Sequence, residues 1–299
     1  MTETSDEKSK YPHLALILVQ FFFGSFAVIG KIVLTVIPSI ALVSFRVGIT
    51  ALILVVVQLY RKRFWLNEKG DYWRLAILSL FGVTFNQLLF VTGLSLTKAS
   101  NASLLAVTIP VFALTVSSIT GSEKLRGIKI IGIILAAIGV ILLIDPRNAS
   151  FSSLTTLGDI LIVTNSLSFG IYVATSKSVV TRNGAFRSMM WIFLFAAIIC
   201  VPLGIVSMSK VDIPSVTPRI WLLVLHIAIF ATAVPYLLNA WALARVNPSV
   251  VAVYIYLQPM IGFLLAVIFL GERVGYNFIA AAALIFSGLF LVTRKFRTV

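Results

Sequence analysis

The stretch that decides the fold reads VNPSVVAVYIYLQPMIGFLLAVIFLGERV (Val246–Val274), because an earlier stretch of the chain matches it in order and spacing. The earlier copy is TKASNASLLAVTIPVFALTVSSITGSEKL (Thr97–Leu125). At a spacing of 149 residues, Pro110 falls on Pro259 and Glu123 falls on Glu272. The chain therefore contains an internal repeat.

The repeat extends well beyond these two stretches, since Trp73–Leu143 can be laid on Trp221–Val292. Further matched pairs are Leu88 with Leu237, Leu89 with Leu238, Gly139 with Gly288 and, at a spacing of 146, Gly24 with Gly170 and Lys31 with Lys177. Each copy holds five apolar runs. Because five is odd, the second copy must insert upside down relative to the first. Inverted repeats around a site near the bilayer midplane are a recurring plan of secondary transporters.

Composition places the chain in a lipid bilayer. Of its 299 residues 60% are hydrophobic and 11% are charged, and the mean hydropathy is +1.06. A soluble domain carries about 25% charged residues. The net charge of +14 lies in short loops without a basic, aromatic-rich face, so nucleic acid is not an expected partner. The single Cys200 is interpreted as a packing residue.

Ten runs are close to the ~20 apolar residues that a spanning helix needs. They lie near 12–34, 40–60, 72–94, 100–118, 126–144, 157–179, 186–208, 219–241, 250–270 and 276–293. The sequence thus predicts an all-α integral membrane protein with ten transmembrane helices, arranged as two inverted five-helix repeats around a central cavity. The predicted organisation is an N-terminal tail (1–11), a first repeat (12–144), a linker (145–156), a second repeat (157–293) and a C-terminal tail (294–299).

Basic residues predict the orientation of these spans. One set of loops and tails holds 17 Lys and Arg residues and the opposite set holds 6. Since basic loops stay in the cytoplasm, both termini are expected there. An even number of spans independently requires the two termini to lie on one side.

Several motifs resemble the drug/metabolite transporter superfamily, specifically its EamA-type members. FGSFAVIGK (Phe23–Lys31) is similar to the family's opening motif, although Phe23 stands where Trp is common. Arg46, within SFRVGITALIL, resembles the arginine near the start of the family's second span. The two stretches quoted at the outset resemble the family's fourth and ninth spans.

The resemblance implies a fold and a general function. Spans 1, 3, 4, 6, 8 and 9 would line a central cavity, whereas spans 5 and 10 would pack as a buttress or as a homodimer contact. It also implies export of metabolites across a bacterial inner (cytoplasmic) membrane. The motifs are mainly structural and say little about the cargo.

Ionisable residues at membrane depth are costly and usually functional, but all ten acids fall in the tail, the loops or the span ends. The sequence therefore disfavours proton coupling through a buried carboxylate. His226 is either a hydrogen-bonded packing residue or a proton-coupling group. Arg46 is either a structural anchor, such as a partner for helix-end carbonyls, or a receptor for an anionic group of the substrate.

Uncharged polar and aromatic residues recur at helical spacing on the spans expected to line the cavity. They are either substrate-binding or interhelical hydrogen-bonding residues. The predicted substrate-binding set is Gln20, Asn86, Gln87, Asn165, Tyr172, Tyr236, Asn239, Trp241, Tyr254 and Gln258.

Other residues suggest structural roles. Pro110 and Pro259 are repeat partners whose kinks could act as gates, or could be simple packing kinks. Glu123 and Glu272 are expected to hold the 4–5 and 9–10 turns by capping nearby amides. Gly132 and Ala136 suit a close helix contact, either within the monomer or between protomers.

The most favoured function is secondary transport of small organic metabolites, especially amino acids, by alternating access through a polar-aromatic pocket. A multidrug exporter is the main alternative within transporters. A non-transporting scaffold or lipid-handling protein is the alternative of another class. The chain holds neither HExxH nor GxSxG, so neither an enzyme, a metal nor a cofactor is expected.

Overall fold

A computed structural model describes residues 5–97, 102, 105–124, 126–144, 153–209, 211–261 and 276–293. Within these ranges the chain is helical and contains no strand. The main helices, here α1 to α10, are α1 Ser5–Leu34, α2 Ser39–Tyr60, α3 Gly70–Leu96, α4 Thr108–Ile119, α5 Gly127–Ile144, α6 Ser153–Asn183, α7 Ala185–Met208, α8 Pro218–Leu243, α9 Pro248–Ile261 and α10 Tyr276–Thr293.

Six of these helices, α1, α2, α3, α6, α7 and α8, are long and apolar enough to cross a membrane, and four shorter ones are apolar. Many of their large apolar side chains face outward, among them Leu52 and Val56 on α2 and Ile198 and Ile205 on α7. Such a surface is suited to lipid rather than water. The chain is therefore an all-helical, multi-pass membrane protein.

Short connections fix where neighbouring helices turn. A single residue, Gly184, separates α6 from α7, and its φ of 81° is a conformation that glycine adopts without strain. Pro218 and Pro248 occupy the first positions of α8 and α9, where the N–H that proline lacks would have no helical partner.

The internal repeat is visible in local backbone structure. A π-helical segment interrupts α3 at Leu80–Thr84 and α8 at Ile229–Ala233, at the spacing of 149 seen in the sequence. A turn at residues 106–107 precedes α4, and a 3-10 segment interrupts α9 at Tyr254–Tyr256. These two interruptions also lie at matching positions of the repeat.

Pro110 and Pro259 help to explain these breaks. Each lies three residues after its interruption. A proline has no N–H for the carbonyl four residues earlier, and its ring crowds that carbonyl; these carbonyls, of Ala106 and Ile255, lie within the two interruptions. The matched feature is the break before each proline, and a gating role of the prolines stays a prediction.

Contacts between helices recur when the two copies are exchanged. Lys31 Nζ donates to the Thr97 carbonyl (3.3 Å), and its repeat partner Lys177 donates to the Val246 carbonyl (2.8 Å). Gly24 faces Ile261, and its partner Gly170 faces Phe112. Phe112 and Ile261 are also repeat partners. Each of these contacts between the copies therefore has an equivalent contact in which the two copies exchange roles. Such an exchange is what a two-fold relation between the copies would produce.

Helices α5 and α10 pack closely within one chain. A methyl group at Gly132 would lie 2.8 Å from the Gly288 carbonyl oxygen, and one at Gly139 would lie 2.9 Å from the Ala281 carbonyl oxygen. Ala136 is fully buried in the same contact. Small residues allow this approach, so the Gly132–Ala136 face is used inside the monomer. A homodimer through α5 and α10 would need their outer faces.

Glu123 has a partner other than the expected one. Its carboxylate accepts hydrogen bonds from the Ser249 backbone N–H (3.1 Å) and hydroxyl (2.6 Å) and forms an ion pair with Lys129. It therefore caps the start of α9, where the helix dipole favours an anion, and its ion pair with Lys129, in the first turn of α5, also bridges the connection between α4 and α5. Its repeat partner Glu272 lies outside the described residues.

We predict that Glu123→Ala lowers the free energy of unfolding by about 3–5 kcal/mol, because it leaves Lys129 buried without a counter-ion. Thermal unfolding in detergent measures the effect. The double variant Glu123→Ala/Lys129→Met removes the stranded charge and is expected to recover part of the loss. Equal instability of the single and double variants would contradict this role of the ion pair.

Candidate functional site

A cavity of about 100 Å³ lies at the centre of the helices. Its walls come from α1, α3, α4, α6, α8 and α9, the six spans that the resemblance implied, together with Arg46 of α2. The lining residues are Val19, Gln20, Phe23, Phe26, Arg46, Asn86, Gln87, Phe90, Ala106, Ile109, Asn165, Phe169, Tyr236, Asn239, Val251, Ile255 and Gln258.

Seven of the ten residues predicted to bind substrate line this one cavity. They come from five different helices and are Gln20, Asn86, Gln87, Asn165, Tyr236, Asn239 and Gln258. Helical spacing explains this convergence, because residues three or four positions apart share a face.

The other three predicted residues lie elsewhere. The Tyr172 hydroxyl donates to Met189 Sδ (3.7 Å) between α6 and α7. Trp241 packs against the guanidinium of Arg245, near the end of α8. The Tyr254 hydroxyl contacts His13 Nδ1 (2.8 Å). Two of these residues share a helix face with a cavity residue but lie further along the helix axis. Tyr172 is two turns from Asn165, and Tyr254 is one turn from Gln258.

Asn86, Asn165 and Tyr236 form a hydrogen-bonded chain across the cavity. Asn86 Nδ2 donates to Asn165 Oδ1 (2.7 Å), and the Tyr236 hydroxyl lies 2.8 Å from Asn86 Oδ1. The same hydroxyl lies 3.2 Å from the Gly82 carbonyl, within the π-helical segment of α3. These contacts fix the orientation of the amide and tie α3, α6 and α8 together.

A second link joins α1 to α9. Gln258 Nε2 donates to Gln20 Oε1 at 2.8 Å. The His13–Tyr254 contact joins the same two helices about two turns nearer the start of α1. Opening a path between α1 and α9 therefore requires two polar contacts to break.

Arg46 is 4% exposed and has the contacts of a structural anchor, one of the two roles that the sequence left open. Its Nε donates to Thr232 Oγ1 (2.9 Å) and its Nη2 donates to the Ala231 carbonyl (3.2 Å). Both acceptors lie in the π-helical segment of α8, so Arg46 supports a carbonyl at a helix irregularity. It also lines the cavity, and its guanidinium stacks 4.1 Å from the Phe26 ring centroid.

Gln87 and Asn239 supply two further amide groups to the cavity wall. Gln87 is 2% exposed; its amide lies near the Tyr236 hydroxyl but makes no hydrogen bond of normal length within the described part of the chain. Asn239 is 5% exposed. A buried amide without a partner costs about 1–3 kcal/mol, so the Gln87 amide is a group that a bound solute can satisfy.

The described lining contains no carboxylate. Among the buried acids, Asp71 pairs with Arg182, Asp159 accepts a hydrogen bond from Thr97 (2.6 Å), and Glu123 pairs with Lys129. The His226 ring packs against Phe230 and does not line the cavity. The site therefore offers one cation, several neutral amides and aromatic rings.

Three phenylalanines were missed by the sequence reasoning. Phe23, Phe26 and Phe90 line the cavity, yet phenylalanine occurs 22 times in the chain. An aromatic residue within an apolar run is not distinguished from a lipid-facing one by its identity alone. The opening motif that begins at Phe23 was the available signal.

Comparison with known proteins identifies two copies of one family domain. The model of the EamA-like transporter family matches residues 10–145 and 156–294. These ranges nearly coincide with the two halves expected from the internal repeat.

Similar proteins extend over the whole chain. An uncharacterized transporter of Archaeoglobus fulgidus is 25% identical over 95% of this chain and 97% of its own length. The uncharacterized transporter YetK of Bacillus subtilis is 22% identical over 97% and 88%, respectively. A solved crystal structure has the same fold, with a TM-score of 0.75 over 94% of this chain and 95% of that chain at 19% identity.

We predict that Tyr236→Phe destabilises the protein by about 1–3 kcal/mol, because the hydroxyl has one proton, within reach of Asn86 Oδ1 and the Gly82 carbonyl, and its removal leaves a buried acceptor without its donor. Thermal unfolding in detergent measures the change. Tyr60→Phe makes the same substitution at a side chain that is 91% exposed and should be neutral. A neutral Tyr236→Phe would mean that the hydrogen-bonded chain contributes nothing to the fold.

Proposed function

Because the chain belongs to the EamA-like transporter family, we propose that it is a secondary transporter of small organic metabolites, with amino acids and related compounds as the favoured class. The observation that carries this proposal is the central cavity, where amides from both copies of the repeat converge. A solute held there contacts both copies at once, as alternating access requires.

The chemistry of the cavity favours polar organic solutes over inorganic cations. Amide groups donate and accept hydrogen bonds, whereas hard cations need a dense set of oxygen ligands. Within the described ranges, no group of three or more His, Cys, Asp or Glu side chains could hold a metal ion. Phe23 and Phe90 supply apolar surface for a hydrocarbon side chain.

Alternating access follows from the two-fold relation between the copies. In the repeat, the contact between α1 and α9 corresponds to the contact between α6 and α4. If ten spans form two inverted repeats, these two contacts lie on opposite sides of the site. Separating one pair while keeping the other opens the cavity to one side only. The breaks before Pro110 and Pro259 give α4 and α9 the flexibility to take part.

The distribution of basic residues supports cytoplasmic termini in an inner membrane. Arg61, Arg63, Arg187 and Arg245 come from three different connections, yet they line one pocket. Lys124 and Arg126 lie with Arg245 around a second pocket. These connections are the ones assigned to the cytoplasm by the positive-inside rule. Export is the direction that the family resemblance favours.

A multidrug exporter is the second candidate, and the aromatic rings Phe23, Phe26 and Phe90 are the observation that favours it. Flat apolar ligands stack on such rings. Drug-sized ligands, however, occupy about 300–1,000 Å³, whereas this cavity measures about 100 Å³. The present conformation is suited to a smaller solute.

We predict saturable uptake of small amino acids into proteoliposomes, without a requirement for a pH gradient, because no carboxylate lines the described cavity. Asn239→Ala is expected to reduce uptake about tenfold or more through loss of a hydrogen bond to the solute. Asn247→Ala changes an exposed asparagine that makes no side-chain cap hydrogen bond at the start of α9 and is the matched control. Gradient-driven uptake of cationic drugs that survives Asn239→Ala would instead support the multidrug alternative.

We also predict the sidedness of two connections. In a Cys200→Ser background, Lys69→Cys should react with an impermeant maleimide only from the cytoplasmic side, and Ser215→Cys only from the outside. Both positions are exposed. Labelling of right-side-out and inside-out vesicles measures from which side each cysteine reacts. Reaction of both cysteines from the same side would exclude the proposed orientation.

A further inference from the structure

Arg46 places an uncompensated positive charge in the wall of the central cavity. Its side chain is 4% exposed, and no Asp or Glu within the described ranges lies close enough to form an ion pair with it. Its acceptors, Thr232 Oγ1 and the Ala231 carbonyl, are both neutral. Removing a cation from water without a counter-ion is costly, so the empty cavity favours a ligand that brings negative charge.

The guanidinium has N–H groups left for such a ligand. Of its five N–H donors, the hydrogen bonds use one on Nε and one on Nη2, and Nη1 makes no hydrogen bond within the described part of the chain. The Phe26 ring covers one face of the guanidinium, so a further partner must approach at the edge. Charge-assisted hydrogen bonds at this edge are the strong kind.

The internal repeat explains why an amide beside Arg46 is also free. At the repeat spacing of 149, Tyr236 corresponds to Gln87 and Gly82 corresponds to Ala231. The Tyr236 hydroxyl contacts the Gly82 carbonyl (3.2 Å), so two-fold symmetry would place Gln87 on the Ala231 carbonyl. Arg46 takes that carbonyl instead (3.2 Å), and the Gln87 amide, which lies near the Tyr236 hydroxyl, is left without a hydrogen bond of normal length among the described residues.

We infer that the transported solute carries a carboxylate, which binds the free edge of the Arg46 guanidinium, while the Gln87 amide binds a second polar group of the same molecule. This inference rests on the proposed transport function and narrows its substrate class. A single cation matches a monoanionic group, whereas a phosphate dianion would require at least one more. The described lining supplies no other cation.

The cavity also limits the size of the solute. Its volume of about 100 Å³ is well below the ~300–1,000 Å³ of pockets that hold drug-sized ligands. Small amino acids, or hydroxy and keto acids of similar size, are therefore the best matched carboxylates in this conformation.

The test compares matched pairs of ligands on the wild-type protein. Alanine, serine and leucine would each be compared with their carboxamides, which lack only the negative charge. Ligand-induced thermal stabilisation and competition for proteoliposome uptake are the two measurements. We expect each amino acid to bind about ten- to a hundredfold more tightly than its amide, because the amide cannot form the charge-assisted hydrogen bond.

Variants then assign the discrimination to Arg46. Arg46→Gln should bind acid and amide alike, whereas Arg46→Lys keeps the charge and should keep part of the preference. Arg61→Gln makes the same substitution beyond the exposed end of α2 and should behave as wild type. Because the ligand pairs are compared first on the wild-type protein, instability of Arg46→Gln does not remove the test.

Three outcomes are distinguishable. A preference for carboxylates that Arg46→Gln removes supports the inference. Equal binding of acids and amides by the wild type overturns the inference and leaves the proposed transport function in place. Failure of every amino acid and amide to bind or to be transported rejects the proposed substrate class, and with it the inference.

Discussion

Inside a bilayer every backbone polar group must find its partner within the protein, because lipid supplies none. This constraint is most severe where helices are irregular, and here the irregularities surround the cavity. Side chains from other helices satisfy the freed carbonyls: Tyr236 contacts Gly82, Arg46 binds Ala231, and the Tyr256 hydroxyl donates to Val107 (2.9 Å). The irregular backbone and the polar groups of the site therefore depend on each other.

The internal repeat brings two of these interruptions together. Val107 and Tyr256 are repeat partners at the spacing of 149, and the Tyr256 hydroxyl donates to the Val107 carbonyl. The interruptions of α4 and α9 therefore meet directly, and one residue from each, Ala106 and Ile255, lines the cavity.

Sequence reasoning predicted the parts of the structure that depend on periodicity and spacing. The ten helical regions and seven cavity residues follow from apolar runs, the repeat and the 3.6-residue helical period, whereas the six cavity-lining spans follow from the family resemblance. Sequence reasoning did not predict the π-helical segments: Leu80–Thr84 contains no proline and reads as ordinary apolar helix, and Pro235, which has no N–H for the Ala231 carbonyl, predicts a disturbed helix but not its type. The contact of Glu123 with α9 was also not predicted, because a spacing along the chain carries no information about which distant helix end packs beside it.

The two copies differ in charge at Arg46. The helix α7 corresponds to α2, and its one cation, Arg187, lies at its start and binds the connection near Trp65 and Asn67. A symmetric protein would present the same surface to a solute from either copy. Because the cation lies on one copy only, one side of the cavity is positively charged. A solute with one charged end then has a single preferred orientation. The interruptions of the backbone thus repeat between the copies, whereas the charge that lines the cavity does not.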